Sequence, residues 1–115
     1  AELGADVYSV EKVAPLADHA RRVLAEQGYA GVHVSTGDGY RGWPEEAPFD
    51  AILGTCAPED VPGALVDQLG EEGRMILPVG SAVQRLVLIR KHRGRIRRVP
   101  DLMVRFVPMV RGADR

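Results

Sequence analysis

Residues 32–58 read VHVSTGDGYRGWPEEAPFDAILGTCAP, and the fold turns on this stretch. The β-branched run from Val32 to Thr36 predicts a strand that ends at Gly37-Asp38-Gly39. A short segment bearing Trp43 and Pro44 follows. Phe49 to Leu53 predicts a second strand, which empties through Gly54 into Thr55-Cys56-Ala57-Pro58. In an open parallel sheet both loops stand at the carboxyl ends of strands, where such sheets bind ligands.

The flanking sequence supports that frame. Upstream, Val7 to Val10 reads as a strand ending in Glu11, and the six residues before it read as a helix tail closed at Gly4. Ala14 to Gly28 is helical by pattern. Leu16, Ala17, Ala20, Val23 and Leu24 recur at helical spacing, Pro15 suits the first turn, and Gly28 suits the C-terminal cap. Downstream, Pro62 to Leu69 predicts a helix near a cap at Asp60 or Val61, and Arg74 to Val79 a strand after a break at Gly73. Strands and helices alternate this far, which predicts an α/β domain with a parallel sheet. The tail changes character. Gln84 to His92 and Gly94 to Val99 read as strands around a turn, and Leu102 to Val110 as one more. With no helix between them they are expected to pair antiparallel. A chain of 115 residues suits one domain over 1–115.

Composition narrows the function classes. With 45% hydrophobic and 27% charged residues the chain reads as a soluble globular protein. No apolar run approaches the roughly 20 residues of a membrane span, and the start, AELGAD, carries no signal-peptide pattern. One cysteine excludes an internal disulfide, so a cytoplasmic location is expected. Charge is unevenly spread. Residues 1–83 hold five Lys/Arg against fourteen Asp/Glu, whereas residues 84–98 hold seven Lys/Arg and no acid. Such a block invites a non-catalytic reading, an α/β module that binds a partner or nucleic acid through the basic hairpin 85–98. The alternative is a solvated edge that discourages edge-to-edge pairing. The block has no stacking aromatic, so nucleic acid is not expected.

Few residues offer chemistry. Glu11, at the end of the second strand of a nucleotide-binding unit, suits two ribose hydroxyls; it also suits a solvated acid at a helix start. Asp38 between Gly37 and Gly39 lets backbone approach a flat ligand while the carboxylate accepts from an exocyclic amine; a plain turn fits as well. Gly37, Gly39 and Gly42 match G-x-G-x-x-G, but Trp43-Pro44 opens no helix, so the match is not a dinucleotide fingerprint. Cys56 has no His near it in sequence and reads as a small buried thiol. His19, His33 and His92 share no ligand spacing, and no metal site is expected.

Taken together, VYSVE (7–11), GDGYRGW (37–43), APFDAILGTCAPEDVP (47–62), GEEGRMILPVG (70–80) and RFVPMV (105–110) resemble the protein-L-isoaspartate O-methyltransferase family. These are class I, Rossmann-like enzymes that use S-adenosyl-L-methionine and release S-adenosyl-L-homocysteine. The resemblance implies methyl transfer to the α-carboxylate of L-isoaspartyl residues, a protein-repair reaction with isoaspartyl peptides or proteins as substrates. A relative acting on another peptide carboxylate is the alternative. It implies that Glu11 holds the cofactor ribose, that Gly37, Asp38 and Gly39 border the adenine, and that Thr55, Cys56 and Ala57 line the methionine end. Pro58, Phe106, Val107 and Pro108 would meet the peptide. The family usually has Ala at the place of Cys56. It implies no catalytic side chain. The family also has an N-terminal region with a substrate-side Ser/Thr motif, then a central first strand with a glycine-rich loop. This chain starts after both, so an incomplete sheet is expected, the C-terminal portion of a methyltransferase domain. Another segment or a second chain, or strand swapping, would then complete it.

Overall fold

A computed structural model describes residues 4–29 and 31–104. It has the order β1 (Tyr8–Glu11), α1 (Ala14–Glu26), β2 (His33–Thr36), a 3-10 turn (Pro44–Glu46), β3 (Phe49–Leu53), α2 (Gly63–Gln68), β4 (Leu69–Val79), β5 (Gln84–His92) and β6 (Arg95–Val104). The chain divides into two compact units. One holds β1, α1 and β2; the other begins at Tyr40.

In the first unit β1 and β2 form a two-stranded parallel sheet, with Tyr8 opposite His33 and Glu11 opposite Thr36. α1 is the crossover between them. Its C-terminus closes as the sequence predicts: Gly28 takes φ +88, Tyr29 N–H donates to Leu24 O at 2.6 Å and Gly28 N–H to Ala25 O at 3.2 Å. The Arg21 guanidinium donates to the carbonyl of Val34 at 2.9 and 3.2 Å, and to Asp18 at 2.6 Å. At the other end of the pair, the Tyr8 and His33 rings stack at 4.3 Å, and Asp6 accepts from the Tyr8 hydroxyl. Ala17 is the unit's one buried hydrophobic residue among those described.

In the second unit the order is β3-β4-β5-β6, with β3 parallel to β4 and the rest antiparallel. The parallel start and antiparallel tail follow the sequence pattern. Leu65 and Leu69 from the α2 region pack with Met75, Leu77, Val79, Val87 and Ile89, one face of β4 and β5, to form the core. Burying each such side chain contributes about 1.5–3 kcal/mol, so this one-sided face holds the unit together.

Three boundaries differ from expectation. The predicted break at Gly73 is a bulge inside a longer strand: β4 starts at Leu69, and the pairing with β3 jumps from Leu69 to Arg74. A Cβ at Gly73 would stand 2.7 Å from Gly70 O, so the bulge accepts glycine only. The strand predicted over Gly94–Val99 and the start of the one predicted over Leu102–Val110 run together as β6, and residues 105–110 of the latter lie outside the described residues. Proline is tolerated there because, among the described residues, β6 pairs only with β5, with Pro100 opposite Val87. α2 is shorter than predicted and begins after Pro62, with Val61 N–H held by the Asp60 carboxylate at 2.8 Å. No described helix is long and apolar enough to cross a membrane.

Candidate functional site

In the first unit the carboxyl ends of β1 and β2 lie side by side. Glu11 is the last residue of β1, and its carbonyl accepts from Gly37 N–H at 2.9 Å. This bond joins Glu11 to the Gly37-Asp38-Gly39 loop, so the structure brings together two acids that the sequence separates by 26 residues. Glu11, Gly37, Asp38 and Gly39 are all half-buried. A Cβ at Gly37 would meet only Val10 Cγ1, at an ordinary 3.6 Å. Packing therefore does not demand glycine there, and a glycine leaves the backbone open to close approach. Two carboxylates at a strand-end pair can accept from vicinal hydroxyls and from an amine. That pair of acceptors fits a nucleoside.

In the second unit β3 ends beside β4 in the same sense. Gly54 N–H donates to Ile76 O at 2.8 Å, and a Cβ there would lie 2.6 Å from Leu77 Cβ. Glycine is required at this close crossing, which turns the chain into Thr55-Cys56-Ala57-Pro58. Ala57 and Pro58 are buried, and Pro58 O accepts from Gly80 N–H at 2.8 Å. These two residues anchor the loop and offer a ligand no exposed side chain. Thr55 is exposed, and Cys56 is half-buried rather than enclosed in the core as its composition class suggests. The loop thus presents a hydroxyl and a thiol on a fixed backbone. Phe106, Val107 and Pro108 lie outside the described residues.

Sequence reasoning missed Gln68. It is 6% exposed and clamps the loop after the glycine pair: its side-chain amide donates to Arg41 O at 2.7 Å and accepts from Trp43 N–H at 2.9 Å. Gly42, at φ +63, passes so close that a Cβ would overlap Gln68 Oε1 at 2.3 Å. This is why GDGYRGW needs its third glycine. The signal in the sequence was a lone amide on the apolar face that carries Leu65 and Leu69.

The sequence profile described as Protein-L-isoaspartate(D-aspartate) O-methyltransferase (PCMT) matches residues 2–114. A protein-L-isoaspartate O-methyltransferase of Gloeobacter violaceus is 50% identical over 113 residues, covering 96% of this chain and 55% of that protein. One of Opitutus terrae is 52% identical over 113 residues, with 96% and 48% covered. The chain thus spans about half the length of these curated relatives. A solved protein-L-isoaspartate O-methyltransferase superposes with a TM-score of 0.84 at 32% identity, covering 92% of this chain and 34% of that one. A Plasmodium falciparum structure, described as such an enzyme in complex with S-adenosyl-L-homocysteine, gives 0.80 at 25% identity, with 90% and 52% covered.

Proposed function

The chain belongs to the protein-L-isoaspartate(D-aspartate) O-methyltransferase family, and from that premise we propose that it is the C-terminal portion of one methyltransferase domain. Its reaction is methyl transfer from S-adenosyl-L-methionine to the α-carboxylate of L-isoaspartyl residues in damaged proteins. The observation that supports this reading is the Glu11–Gly37 backbone bond, which joins the end of β1 to the Asp38 loop at the end of a parallel pair. Glu11 accepts from the cofactor's ribose hydroxyls. Asp38, with the flanking Gly37 and Gly39 backbone, borders the adenine. Thr55, Cys56 and Ala57 line the methionine end. Phe106, Val107 and Pro108 serve the peptide; Pro58, expected beside them, is buried and serves by anchoring the loop through its carbonyl. The single cysteine suits a reducing cytoplasm.

When bound, the cofactor supplies a methyl group activated on a sulfonium sulfur. The acceptor is an α-carboxylate with an ordinary pKa of roughly 3.5, ionised at neutral pH, so no side chain has to take a proton. The work left to the protein is alignment and exclusion of water. The methyl ester formed can then close to a succinimide, which opens the route to repair.

A further segment, or a second chain, supplies ladder partners to the open edges of the two sheets. Among the described strands β1 pairs only with β2, and β3 only with β4. Leu53, in a strand of a type that is ordinarily buried on both faces, is 72% exposed.

Two measurements on the intact protein test the reading. Labelled-methyl transfer is expected to an isoaspartyl peptide and not to its aspartyl counterpart; equal labelling of both would overturn the substrate assignment. In calorimetric titration with S-adenosyl-L-homocysteine, Glu11→Ala is expected to weaken binding by about tenfold or more, the worth of hydrogen bonds to a charged group. Unchanged affinity would remove Glu11 from the site.

A further inference from the structure

Gln68 is the last residue of α2 and is buried, as Leu65 is. A polar side chain in such a place costs stability unless both its hydrogen-bonding ends are met. Here both are. Its Nε2 donates to Arg41 O at 2.7 Å, and its Oε1 accepts from Trp43 N–H at 2.9 Å. The two bonds have opposite polarity and bracket Gly42, whose backbone passes too close to Gln68 for any side chain. A carboxamide offers a donor and an acceptor side by side in one plane without charge. A carboxylate of the same length lacks the donor, and a methionine lacks both.

The same loop is held at its near end, where Gly37 N–H donates to Glu11 O at 2.9 Å. Between the two anchors the chain has three residues, Asp38, Gly39 and Tyr40. Asp38 and Arg41 are then separated by at most about 11 Å of extended chain, so fixing Arg41 confines Asp38. The composition makes such anchors useful. Half of residues 37–42 are glycine, which permits close approach to a ligand but leaves the free backbone the most conformations to lose. A carboxylate on such a segment is ordered either beforehand, by bonds of this kind, or by the ligand, which lowers affinity. Both bonds of Gln68 close on described residues of this chain, so the clamp asks nothing of a further segment.

We propose that Gln68 is a positioning residue for the cofactor: by holding Arg41 and Trp43 it orders the 37–42 loop, and so sets where the Asp38 carboxylate stands before the nucleoside arrives. The inference deepens, and rests on, the reading of Asp38 as a residue that borders the adenine. It gives Gln68 a task apart from stability. In a purely structural role Gln68 would change the fraction of protein that is folded and leave the affinity of the folded protein unaltered. As a positioning residue it acts through Asp38, so its effect on affinity disappears once the Asp38 carboxylate is removed.

The test is calorimetric titration of the intact protein with S-adenosyl-L-homocysteine, under conditions where denaturant unfolding shows each variant to be folded. Gln68→Met keeps the length of the side chain and removes both bonds. It is expected to weaken binding by about tenfold, as is Asp38→Ala. The double variant is expected to bind within about threefold of Asp38→Ala alone. Ile89→Ala, in the core on β5, should lower the unfolding midpoint at least as far yet change affinity less than about threefold. Gln68→Glu keeps the acceptor for Trp43 N–H and sets an oxygen against Arg41 O. It serves in the same cycle if the Met variant does not fold, with a loss of at least about threefold expected. Unchanged affinity in the Gln68 variant while Asp38→Ala weakens binding would overturn the proposal and leave the adenine reading standing. So would losses that multiply in the double variant, or an equal loss in Ile89→Ala. Unchanged affinity in Asp38→Ala, or no saturable binding by the unaltered protein, would overturn the adenine reading and this inference with it. A Gln68 effect that vanishes in the Asp38→Ala background would support the proposal.

Discussion

Two parallel strand pairs in this chain end in loops that we propose serve a cofactor, yet they are built differently. β1 and β2 carry the Glu11–Asp38 loop end and are held by edge contacts: the Tyr8–His33 stack, the Arg21 fork on Val34 O and the crossover helix around Ala17. β3 and β4 carry the Thr55–Pro58 loop end and rest on a core of seven buried side chains. The comparison teaches that presenting a carboxylate and stabilising a sheet are separable tasks. An acid at a strand end needs only a neighbouring backbone to orient it, whereas a sheet needs area removed from water. The first unit has the orientation with little of the area. Leu16 and Val23 on its helix remain 55% and 39% exposed.

The comparison can be broken by substitution, with stability followed by denaturant unfolding of the intact protein. The largest effect is expected at Leu77, fully buried under α2, where Leu77→Ala should cost about 2–5 kcal/mol. Its counterpart on α1, the half-buried Leu24, should cost under about 2 kcal/mol when cut to Ala. A larger loss at Leu24 than at Leu77 would mean that the first unit has a core after all. Next comes Gln68→Ala, which removes the bonds to Arg41 O and Trp43 N–H from a buried site and should cost about 1–3 kcal/mol. Smaller still, Arg21→Ala should cost about 0.5–1.5 kcal/mol, the net worth of its hydrogen bonds to the exposed edge of β2. If Arg21→Ala instead matched Leu77→Ala, edge contacts would rank with core packing and the distinction would fall.

Much of this was legible along the chain. Phe49–Leu53 is a strand as its residues predict, and α1 stops at Glu26 because Gly28, at positive φ, turns the chain so that the Leu24 and Ala25 carbonyls are closed. The Glu11 and Asp38 positions follow from where two short β-branched runs stop. Gln68 was not legible as a clamp, since nothing near it in sequence reveals that Arg41 and Trp43, more than 20 residues upstream, pass over it. Nor was the buried state of Pro58, which depends on Gly80 returning at the end of β4.

The sequence by itself determined the element types, the glycine-closed turns, the antiparallel tail and the family, because these rest on residues within a turn or a strand of one another and on motif order. The tertiary structure alone decided three things. Gly73 is a bulge within β4 rather than its start, β6 runs through Pro100, and Arg74, Arg90 and Arg97 stand in one row. Each is a matter of register between distant strands, and a one-residue slip would move every side chain to the other face. That register is set by Met75, Leu77, Val87 and Ile89 burying together against α2. Their burial on one face leaves the arginines on the other.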